Sequence, residues 1–501
     1  MNGRRSHLEF FLVTAALIFA SDPVSGFHTP QLYPNNSSFI NQANATNLTG
    51  MTIGVPNVTG RVDLNTSNGH VYRPPQVPLD VGLYPETPEG LKLQQVHVFV
   101  RHGERTPVGI RLTSSIPQHW MMCKTARQFH ATVSGMTEDG EKDSFLRTRK
   151  MVERIDGIVV DGECLLGELT DVGRQSTFNY GRDLRKLYVD KLGFLPDTLP
   201  RREEVYFRST NLPRTIESLQ QIAHGLYPTD KCARDAFPII LVRNTKDENL
   251  LGNTSACKRL EILQVGFAQA AAAAYNPSLK HLDQRLSKYL DGNPIRVDGK
   301  PRASGIMDTV RAAIAHGIKV PKEFENKTIV DVIETAVVNE WFAGRYKTEE
   351  VRRLGMGRLL ADITYKMQRK IDKGDRDPLK ILVHSTHDTA LAALCATLDV
   401  YDEKWPAFTA SITFELFKKT DERNSPNFSQ AIISSIRNNP GEHFVRMRHQ
   451  NKNMALPICA EEGKHLPGHP EFCTLAAFRD RVKDLTPVDW DGECAPAGKP
   501  S

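Results

Sequence analysis

The stretch of sequence that decides the fold reads Val96-His97-Val98-Phe99-Val100, followed directly by Arg101-His102-Gly103-Glu104-Arg105-Thr106-Pro107. Valines recur at every second position, so residues 93–100 predict a strand with valines on one face and His97 and Phe99 on the other. The strand ends in charged residues. Because open α/β sheets bind their ligands beyond the carboxyl ends of the strands, we predict a site at this edge.

Two further segments follow the same plan of strand, polar turn and helix. Residues 204–207 predict a strand that leads into Arg208-Ser209-Thr210-Asn211, with helical character from Arg214 onward. Residues 379–383 predict another strand, which leads into His384-Ser385-Thr386-His387-Asp388 and then an apolar helix. We expect the three polar turns to meet at one sheet edge, where helix N-termini favour an anion such as phosphate.

Residues 101–107 combine two arginines with a histidine, and this combination indicates a phosphate site. A guanidinium stays charged at any working pH, and its planar fork bonds two phosphate oxygens at once. His102 can attack phosphorus through one ring nitrogen when a backbone carbonyl holds the other and sets the tautomer. Gly103 allows a close approach of the backbone. We therefore predict that His102 is a nucleophile placed between the phosphate ligands Arg101 and Arg105.

Such an attack leaves an alkoxide that needs a proton, and the turn at residues 384–388 has the groups to supply one. We predict that the carboxyl of Asp388 is the general acid and that His387 donates to the phosphoryl oxygens. Arg208, at the turn in between, is predicted to be the third guanidinium. Together these groups would stabilise a phosphoryl group without a metal ion or another cofactor.

Other interpretations of these segments stay open. Residues 384–388 could form a metal site, although a strand-to-turn segment lacks the helical face that zinc proteases use, and nearby arginines would repel a cation. Glu104 is expected to have a surface or supporting role. Arg214 and Glu217 are expected to form a structural pair at helical spacing and not to touch a substrate.

The pattern RHGxRxP with a downstream HD resembles the histidine acid phosphatases, a branch of the histidine phosphatase superfamily. That branch includes prostatic and lysosomal acid phosphatases, phytases and lysophosphatidic acid phosphatase. Residues 167–188 resemble the family's GxLTxxGxxQ…LGxxLRxxY stretch, and residues 207–218 resemble its mid-chain phosphate-arginine segment. The resemblance extends from about residue 93 to residue 494.

The resemblance implies an α/β fold, a phosphoglycerate-mutase-like three-layer sandwich with a mainly helical cap. It implies a phosphomonoester hydrolase that works through phosphohistidine, and the need for a protonated carboxyl predicts an acidic optimum. Its implied site has His102 as nucleophile, Asp388 as proton donor, and the phosphate ligands Arg101, Arg105, Arg208 and His387. The chain departs from the family pattern at Ser176, His384 and Thr386.

The chain is predicted to begin with a secretory signal peptide over residues 1–26. Arg4 and Arg5 precede an apolar run at residues 10–20, and small residues suited to cleavage follow it. The run is shorter than the roughly 20 residues of a membrane-spanning helix. An uncleaved anchor is the alternative interpretation.

After the signal peptide, residues 27–90 predict a disordered, glycosylated arm, because this stretch lacks a hydrophobic period and is dense in N-glycosylation sequons. Residues 91–495 are predicted to form the catalytic domain, with a helical cap made from segments at about 112–165 and 230–345. The sequons begin at Asn35, Asn36, Asn44, Asn47, Asn57, Asn65, Asn253, Asn326 and Asn427.

Eight cysteines are scattered along the chain without a CxxC pair, which is typical of disulfides in an oxidising compartment. Cys459 and Cys473 resemble a short bridge of the family. Cys494 is expected to reach back to a mid-chain cysteine such as Cys232 or Cys257. Cys395, in the apolar helix after the HD motif, is expected to be a buried or packing thiol.

Composition excludes several classes of protein. The 501 residues are 40% hydrophobic and 25% charged, as in ordinary globular proteins, and the net charge of +5 is too small to indicate nucleic-acid binding. The predicted partner is a small phosphorylated substrate, in a secreted or lumenal compartment, with no integral membrane span after signal removal. A homodimer is compatible with the sequence. The alternatives are a phosphate-ester-binding glycoprotein without turnover, a phytase or lysophosphatidate-specific phosphatase, and a phosphomutase, whose branch lacks the RxP continuation.

Overall fold

The structure is a computed structural model that describes residues 78–125, 127–133, 144–420 and 443–496. The predicted signal peptide, most of the predicted arm and seven of the nine sequons lie outside the described residues. The chain divides into two compact units. The described part of the smaller unit is a β-hairpin within residues 127–150, and the larger unit holds all the predicted site residues.

Strands account for the central layer of the larger unit. The strands of the described residues are β1 (Leu91–Arg101), β2 (Gln128–Val133), β3 (Ser144–Arg149), β4 (Val152–Glu153), β5 (Val159–Val160), β6 (Val205–Ser209), β7 (Ile240–Leu241), β8 (Ile381–Thr386), β9 (Ser411–Lys419), β10 (His443–His449), β11 (Lys452–Met454), β12 (His465–Leu466) and β13 (His469–Thr474). Nine of them form one sheet in the order β12-β13-β10-β9-β1-β8-β6-β7, with β11 paired to β10.

Helices make up the outer layers and the cap. They are α1 (Asp171–Arg185), α2 (Pro213–Leu226), α3 (Lys258–Leu279), α4 (Asp283–Leu286), α5 (Ala303–Ala315), α6 (Lys327–Val338), α7 (Glu349–Arg352), α8 (Arg358–Lys373), α9 (Asp388–Thr397), α10 (Leu475–Leu485) and α11 (Trp490–Cys494). Among the described residues, no helix is long and apolar enough to cross a membrane.

The strands β1, β8 and β6 are neighbours and run parallel, so their carboxyl ends meet at one edge. The register pairs Arg101 with Thr386 and Ser209 with Ser385. The pairing of β1 with β8 continues one residue beyond the end of β1, because the N–H of His102 donates to the carbonyl of Thr386 over 3.0 Å. The predicted meeting of the three turns is therefore confirmed.

The two faces of β1 belong to two hydrophobic cores. Val96, Val98 and Val100 pack with residues of α1 and α2, whereas Phe99 packs with residues of α8 and α9. All four side chains are buried completely. The alternation predicted from the sequence is confirmed, and helices on both faces of the sheet form the predicted three-layer sandwich.

The cap has a hydrophobic core of its own, made mainly by α3, α5 and α6. The second predicted cap segment is helical, as expected. The first, residues 112–165, contains the strands β2 to β5 and no α-helix within its described residues, although Leu112, Ile116 and Trp120 join the cap core.

Residues 78–90, which the sequence assigned to the arm, pack against the sheet. Tyr84 is buried, and its hydroxyl donates to Oε1 of Glu415 over 3.0 Å. Arg446 donates to the Tyr84 hydroxyl over 2.6 Å and pairs with Glu415 at 2.8 Å. The domain therefore begins before residue 91, because this buried cluster includes a residue of the segment.

Three disulfides connect distant parts of the larger unit. Cys459–Cys473 is present as predicted, and Cys494 pairs with Cys257, one of the two partners considered. Cys123–Cys164 was not predicted and joins two segments of the cap region. Among the described cysteines, Cys232 and Cys395 are free thiols, and Cys395 is buried as expected.

Two sequons lie within the described residues, and their environments differ. Asn326 is exposed, and its side chain caps α6 by accepting from the N–H of Ile329. Asn253 is buried, and its Nδ2 donates to the carbonyls of Thr245, over 2.6 Å, and Glu248, over 3.1 Å. Only Asn326 of this pair offers an accessible side-chain amide.

Gly181→Ala is predicted to destabilise the protein. A Cβ at Gly181 would lie 2.1 Å from the carbonyl oxygen of Ile222, where α1 crosses α2. We expect the free energy of unfolding to fall by about 2 kcal/mol or more, measured as a lower urea midpoint. The matched control is Gly266→Ala in α3, where a Cβ meets no atom within 4 Å. This control should be neutral or stabilising by up to about 1 kcal/mol, and equal losses in both variants would contradict the packing argument.

Candidate active site

His102 lies directly after β1 and is buried. Its Nδ1 is 2.8 Å from the carbonyl oxygen of Gly103. Because a carbonyl can only accept, Nδ1 carries the proton and the lone pair of Nε2 is the nucleophilic one. The backbone is held on both sides, since the His102 N–H donates to Thr386 and its carbonyl accepts from Thr409 over 3.2 Å.

An aromatic ring forms one wall beside His102. The Arg101 guanidinium lies 4.1 Å from the centroid of the Phe408 ring, and that of Arg105 lies 5.8 Å from it. The His102 ring is 5.9 Å away, centroid to centroid. The next residue, Thr409, has a φ of 57°, a left-handed conformation that β-branched residues rarely adopt. The chain is thus constrained to turn where Phe408 meets the site.

Gly103 allows the close backbone approach that the sequence predicts, and the structure shows that the neighbour is a helix of the protein itself. A Cβ on Gly103 would lie 2.4 Å from the carbonyl oxygen of Gly173 in α1. The N–H of Gly103 donates to Oγ of Ser218 in α2 over 3.0 Å. The glycine lets the turn approach the backbone of a neighbouring helix, which places His102 against the N-terminal regions of α1 and α2.

Asp388 is the first residue of α9 and lies across the sheet edge from β1. Its Oδ2 is 2.7 Å from Nη2 of Arg101 and accepts from Nε1 of Trp405 over 2.9 Å. Its Oδ1 accepts from the N–H of Thr389 over 2.8 Å. Burial alone would raise the pKa of Asp388, but the charges of Arg101 and Arg105 outweigh it, so the pKa lies below its ordinary value.

His387 lies beside His102, with 5.7 Å between the ring centroids. Its Nε2 is 3.0 Å from Oγ1 of Thr210, at the end of the neighbouring strand. Burial and then the positive charge of Arg214 lower the pKa of His387 to about 3. The imidazole is therefore neutral in the free protein.

His102 is likewise held in its neutral form. Burial lowers its pKa well below the ordinary value, and the charges of Arg101, Arg214 and Arg105 lower it further. A neutral imidazole is the nucleophilic form. Because protonation of His102 requires a pH far below the ordinary range, the nucleophile survives in mildly acidic solution.

Arg208 is the one predicted site residue that the structure does not bring to this group. It is buried inside β6, where it pairs with Glu248 and donates to Oδ1 of Asn249 over 2.8 Å. Arg208 is in register with His384, and its guanidinium is held by Glu248 and Asn249. Thr210, which follows the end of β6, contacts His387 instead. Arg214, in the first turn of α2, carries a charge that acts on both His102 and His387, as the charges of Arg101 and Arg105 do.

Arg105 is oriented by the cap. Its Nη2 is 2.8 Å from Oδ1 of Asp308 in α5, and the other oxygen of Asp308 accepts from the N–H of Val108 over 3.0 Å. The Nη1 of Arg105 donates to the carbonyl of Thr106 over 3.0 Å. The guanidinium is therefore fixed at the boundary between the sheet and the cap.

Glu104 and Glu217 occupy supporting positions. Glu104 is buried, its carboxylate accepts from the hydroxyl of Ser176, and burial raises its pKa. The carboxylate of Glu217 pairs with Arg174 of α1. The departure at Ser176 therefore forms part of the support beneath the turn that carries His102.

The side chains of residues 384–388 diverge, so the structure does not support a metal site there. His384 stacks on Phe99 with 4.4 Å between ring centroids, and its Nδ1 is 3.2 Å from the carbonyl oxygen of Val98. Thr386 donates to the carbonyl of Leu250 over 2.7 Å. Within the described ranges, no three His, Cys, Asp or Glu side chains are grouped to share a metal ion.

Sequence reasoning missed four residues that contact or act on the predicted site. Arg214 lies within residues 207–218, and its place in the first turn of a helix that begins at the site edge could have identified it. The other three are supplied by distant segments, and no local pattern marks them. They are Asp308, Trp405 and Phe408.

Comparison with known proteins agrees with this geometry. The sequence model of the family described as histidine phosphatase superfamily (branch 2) matches residues 92–449. A probable acid phosphatase of Schizosaccharomyces pombe is 34% identical over 446 residues, covering 82% of this chain and 96% of that protein. The lysosomal acid phosphatase of Homo sapiens is 28% identical over 347 residues, covering 67% of this chain and 74% of that protein.

Solved structures show the same fold. The apo phytase of Hafnia alvei superposes with a TM-score of 0.51 at 15% sequence identity, covering 82% of this chain and 99% of that one. With a matched family segment that spans most of the chain and includes every residue of the site, the chain belongs to branch 2 of the histidine phosphatase superfamily, a family of phosphomonoester hydrolases.

Proposed function

We propose that this protein hydrolyses phosphate monoesters in two steps through a phosphohistidine on His102. The observation that carries the proposal is the group around His102. Its Nδ1 proton is bound by the Gly103 carbonyl, which leaves the lone pair on Nε2. The charges of three arginines act on this ring, and Asp388 pairs with one of them, Arg101. A nucleophile, an anion clamp and a proton donor are the parts that this reaction needs.

In the first step, Nε2 of His102 attacks phosphorus and forms an N–P bond while the ester P–O bond breaks. The leaving oxygen takes the proton of Asp388. In the second step, water attacks the same phosphorus, the N–P bond breaks, and a proton of the water returns to Asp388. The products are the alcohol and inorganic phosphate.

The pKa shifts favour an acidic optimum. The lowered pKa of His102 keeps the nucleophile neutral as the pH falls, whereas Asp388 must be protonated and loses its proton as the pH rises. A bound phosphate adds negative charge beside Asp388 and competes for Arg101, and both effects raise the pKa of this carboxyl in the complex. Activity should therefore fall from mildly acidic pH towards neutral pH.

His102→Ala tests the proposed function. Wild-type protein should hydrolyse p-nitrophenyl phosphate at mildly acidic pH in the presence of EDTA, because every step uses only side chains and water. The variant should lose about 10³-fold or more in kcat, since the atom that forms the N–P bond is gone.

Two results would contradict the proposal. Loss of wild-type activity in EDTA would require a metal ion, and an inert wild type would indicate a phosphate-binding protein without turnover. Thermal unfolding of both proteins serves as the control, because His102→Ala should remain folded while it is inactive.

We also propose Arg214, in place of Arg208, as the third phosphate arginine. Arg214→Gln should raise the inhibition constant of inorganic phosphate by about 10- to 100-fold, the cost of losing a charge-assisted hydrogen bond. Arg208→Gln should lower the unfolding temperature, since it leaves Glu248 without its partner. Its inhibition constant should stay within about threefold. A large rise in Arg208→Gln alone would restore the assignment made from the sequence.

Asp388→Asn tests the proton donor through the leaving group. Hydrolysis of an alkyl phosphate, whose alkoxide leaves poorly, should slow by about 10²-fold or more. Hydrolysis of p-nitrophenyl phosphate, whose phenolate leaves without a proton, should slow much less. The fall of kcat towards neutral pH should also flatten in the variant. Equal slowing of both esters would exclude Asp388 as the general acid.

A secreted or lumenal location is proposed together with this activity. The apolar run at residues 10–20 and the nine sequons support it. Three disulfides in the described residues also support it, because disulfides persist in oxidising compartments.

A further inference from the structure

The loop that joins α9 to β9 carries an indole into direct contact with the proposed proton donor. Nε1 of Trp405 donates to Oδ2 of Asp388 over 2.9 Å. The same oxygen is 2.7 Å from Arg101, and the other oxygen accepts from the N–H of Thr389. Three donors from three segments of the chain therefore set the plane of one carboxyl group.

The cap sets the position of Trp405 itself. The main-chain N–H of Trp405 donates to Oε1 of Glu334 in α6 over 2.8 Å, and its carbonyl accepts from Nη1 of Arg311 in α5 over 3.2 Å. Glu334 and Arg311 are both buried and pair with each other at 2.5 Å. The loop is thus attached at Trp405 to an ion pair between two cap helices.

The indole ring is also packed within an aromatic cluster. Its centroid is 4.8 Å from that of Phe342 and 5.9 Å from that of Trp341, and both residues lie in the helical turn that follows α6. The ring cannot swing away from Asp388 without losing these contacts. A hydrogen-bond donor held in this way is pre-organised, so its orientation costs nothing further when a substrate binds.

We propose that Trp405 is a positioning residue for Asp388, and that the Glu334–Arg311 pair of the cap holds Trp405 in place. This inference rests on the proposed function, in which Asp388 protonates the leaving oxygen. A phosphoryl group competes with Asp388 for Arg101, and Trp405 is then the side chain that still holds Oδ2. Proton transfer needs the carboxyl within hydrogen-bond reach of the leaving oxygen, and rotation of an unheld carboxyl would remove it.

Trp405→Phe isolates the contribution of the indole N–H, because it keeps an aromatic ring in the cluster and deletes the donor. The other groups that act on the carboxyl are Arg101, Arg105 and His387, and all of them remain. Trp341→Phe is the matched control. It removes an indole from the same cluster at a position that is not bonded to the catalytic group.

The experiment measures kcat and KM for n-butyl phosphate and p-nitrophenyl phosphate across the acidic pH range. In Trp405→Phe, kcat for the butyl ester should fall by about tenfold relative to the aryl ester, with KM within about twofold. The limb on which kcat falls with rising pH should move to higher pH, because the lost donor had stabilised the carboxylate. Trp341→Phe should leave both the ester ratio and this limb unchanged.

Glu334 provides a second, independent variant. Glu334→Gln keeps an oxygen that accepts from the main-chain N–H of Trp405, so the ratio of kcat for the butyl ester to kcat for the aryl ester should stay at its wild-type value. Glu334→Ala removes this acceptor and should reproduce the effect of Trp405→Phe. Unfolding temperatures of all variants report any loss of folding separately from the ratio.

The possible failures are distinguishable. The proposed function stands if the wild type is active and His102→Ala is inert. If Trp405→Phe then slows the hydrolysis of both esters equally and leaves the pH dependence of kcat unchanged, Trp405 has only a packing role and the inference is overturned. If the wild type hydrolyses neither ester, the proposed function fails and the role of Trp405 fails with it.

Discussion

The ion pair between Arg101 and Asp388 is the interaction on which the site depends. Its two partners come from opposite ends of the domain sequence and meet because β1 and β8 are parallel neighbours. A buried charge is costly without a partner, and removing one member of such a pair destabilises by about 3–5 kcal/mol. Here the pair is further bonded by the carbonyl of Pro406 and by Trp405. The free protein therefore holds the proposed phosphate ligand and the proposed proton donor together as one neutral pair.

The cap contributes to this unit as well as covering it. Asp308 of α5 orients Arg105, and a buried pair from α5 and α6 holds the loop that reaches Asp388. Arg105 is therefore attached to α5, and the loop that reaches Asp388 is attached to both α5 and α6. We expect that substituting a residue packed between these two helices would alter the reaction without removing a contact to substrate, because the helices set the positions of Arg105 and Asp388.

Much of the architecture could be predicted from local patterns, because the period of apolar residues identified three strands and the polar turns that follow them. These patterns were sufficient to predict that Arg101, His102, Arg105, His387 and Asp388 lie close together, whereas their chemical roles remain proposals. They were insufficient for choosing between Arg208 and Arg214, which lie six positions apart. Arg208 lies within β6 and Arg214 in the first turn of α2, so their difference depends on where the strand ends and where the helix begins. The contacts of Asp308 and Trp405 join residues far apart in sequence and have no local signature.

The buried sequon at Asn253 has a consequence for the biosynthesis of the protein. A sugar on its Nδ2 would replace one of the two hydrogens now donated to Thr245 and Glu248, and the buried site has no room for a glycan. Glu248 in turn holds Arg208 inside the sheet. In the proposed lumenal location, oligosaccharide transfer to Asn253 would compete with the folding of the segment around it. A chain modified at Asn253 could not make both of these hydrogen bonds, so the native packing around Glu248 and Arg208 requires an unmodified Asn253.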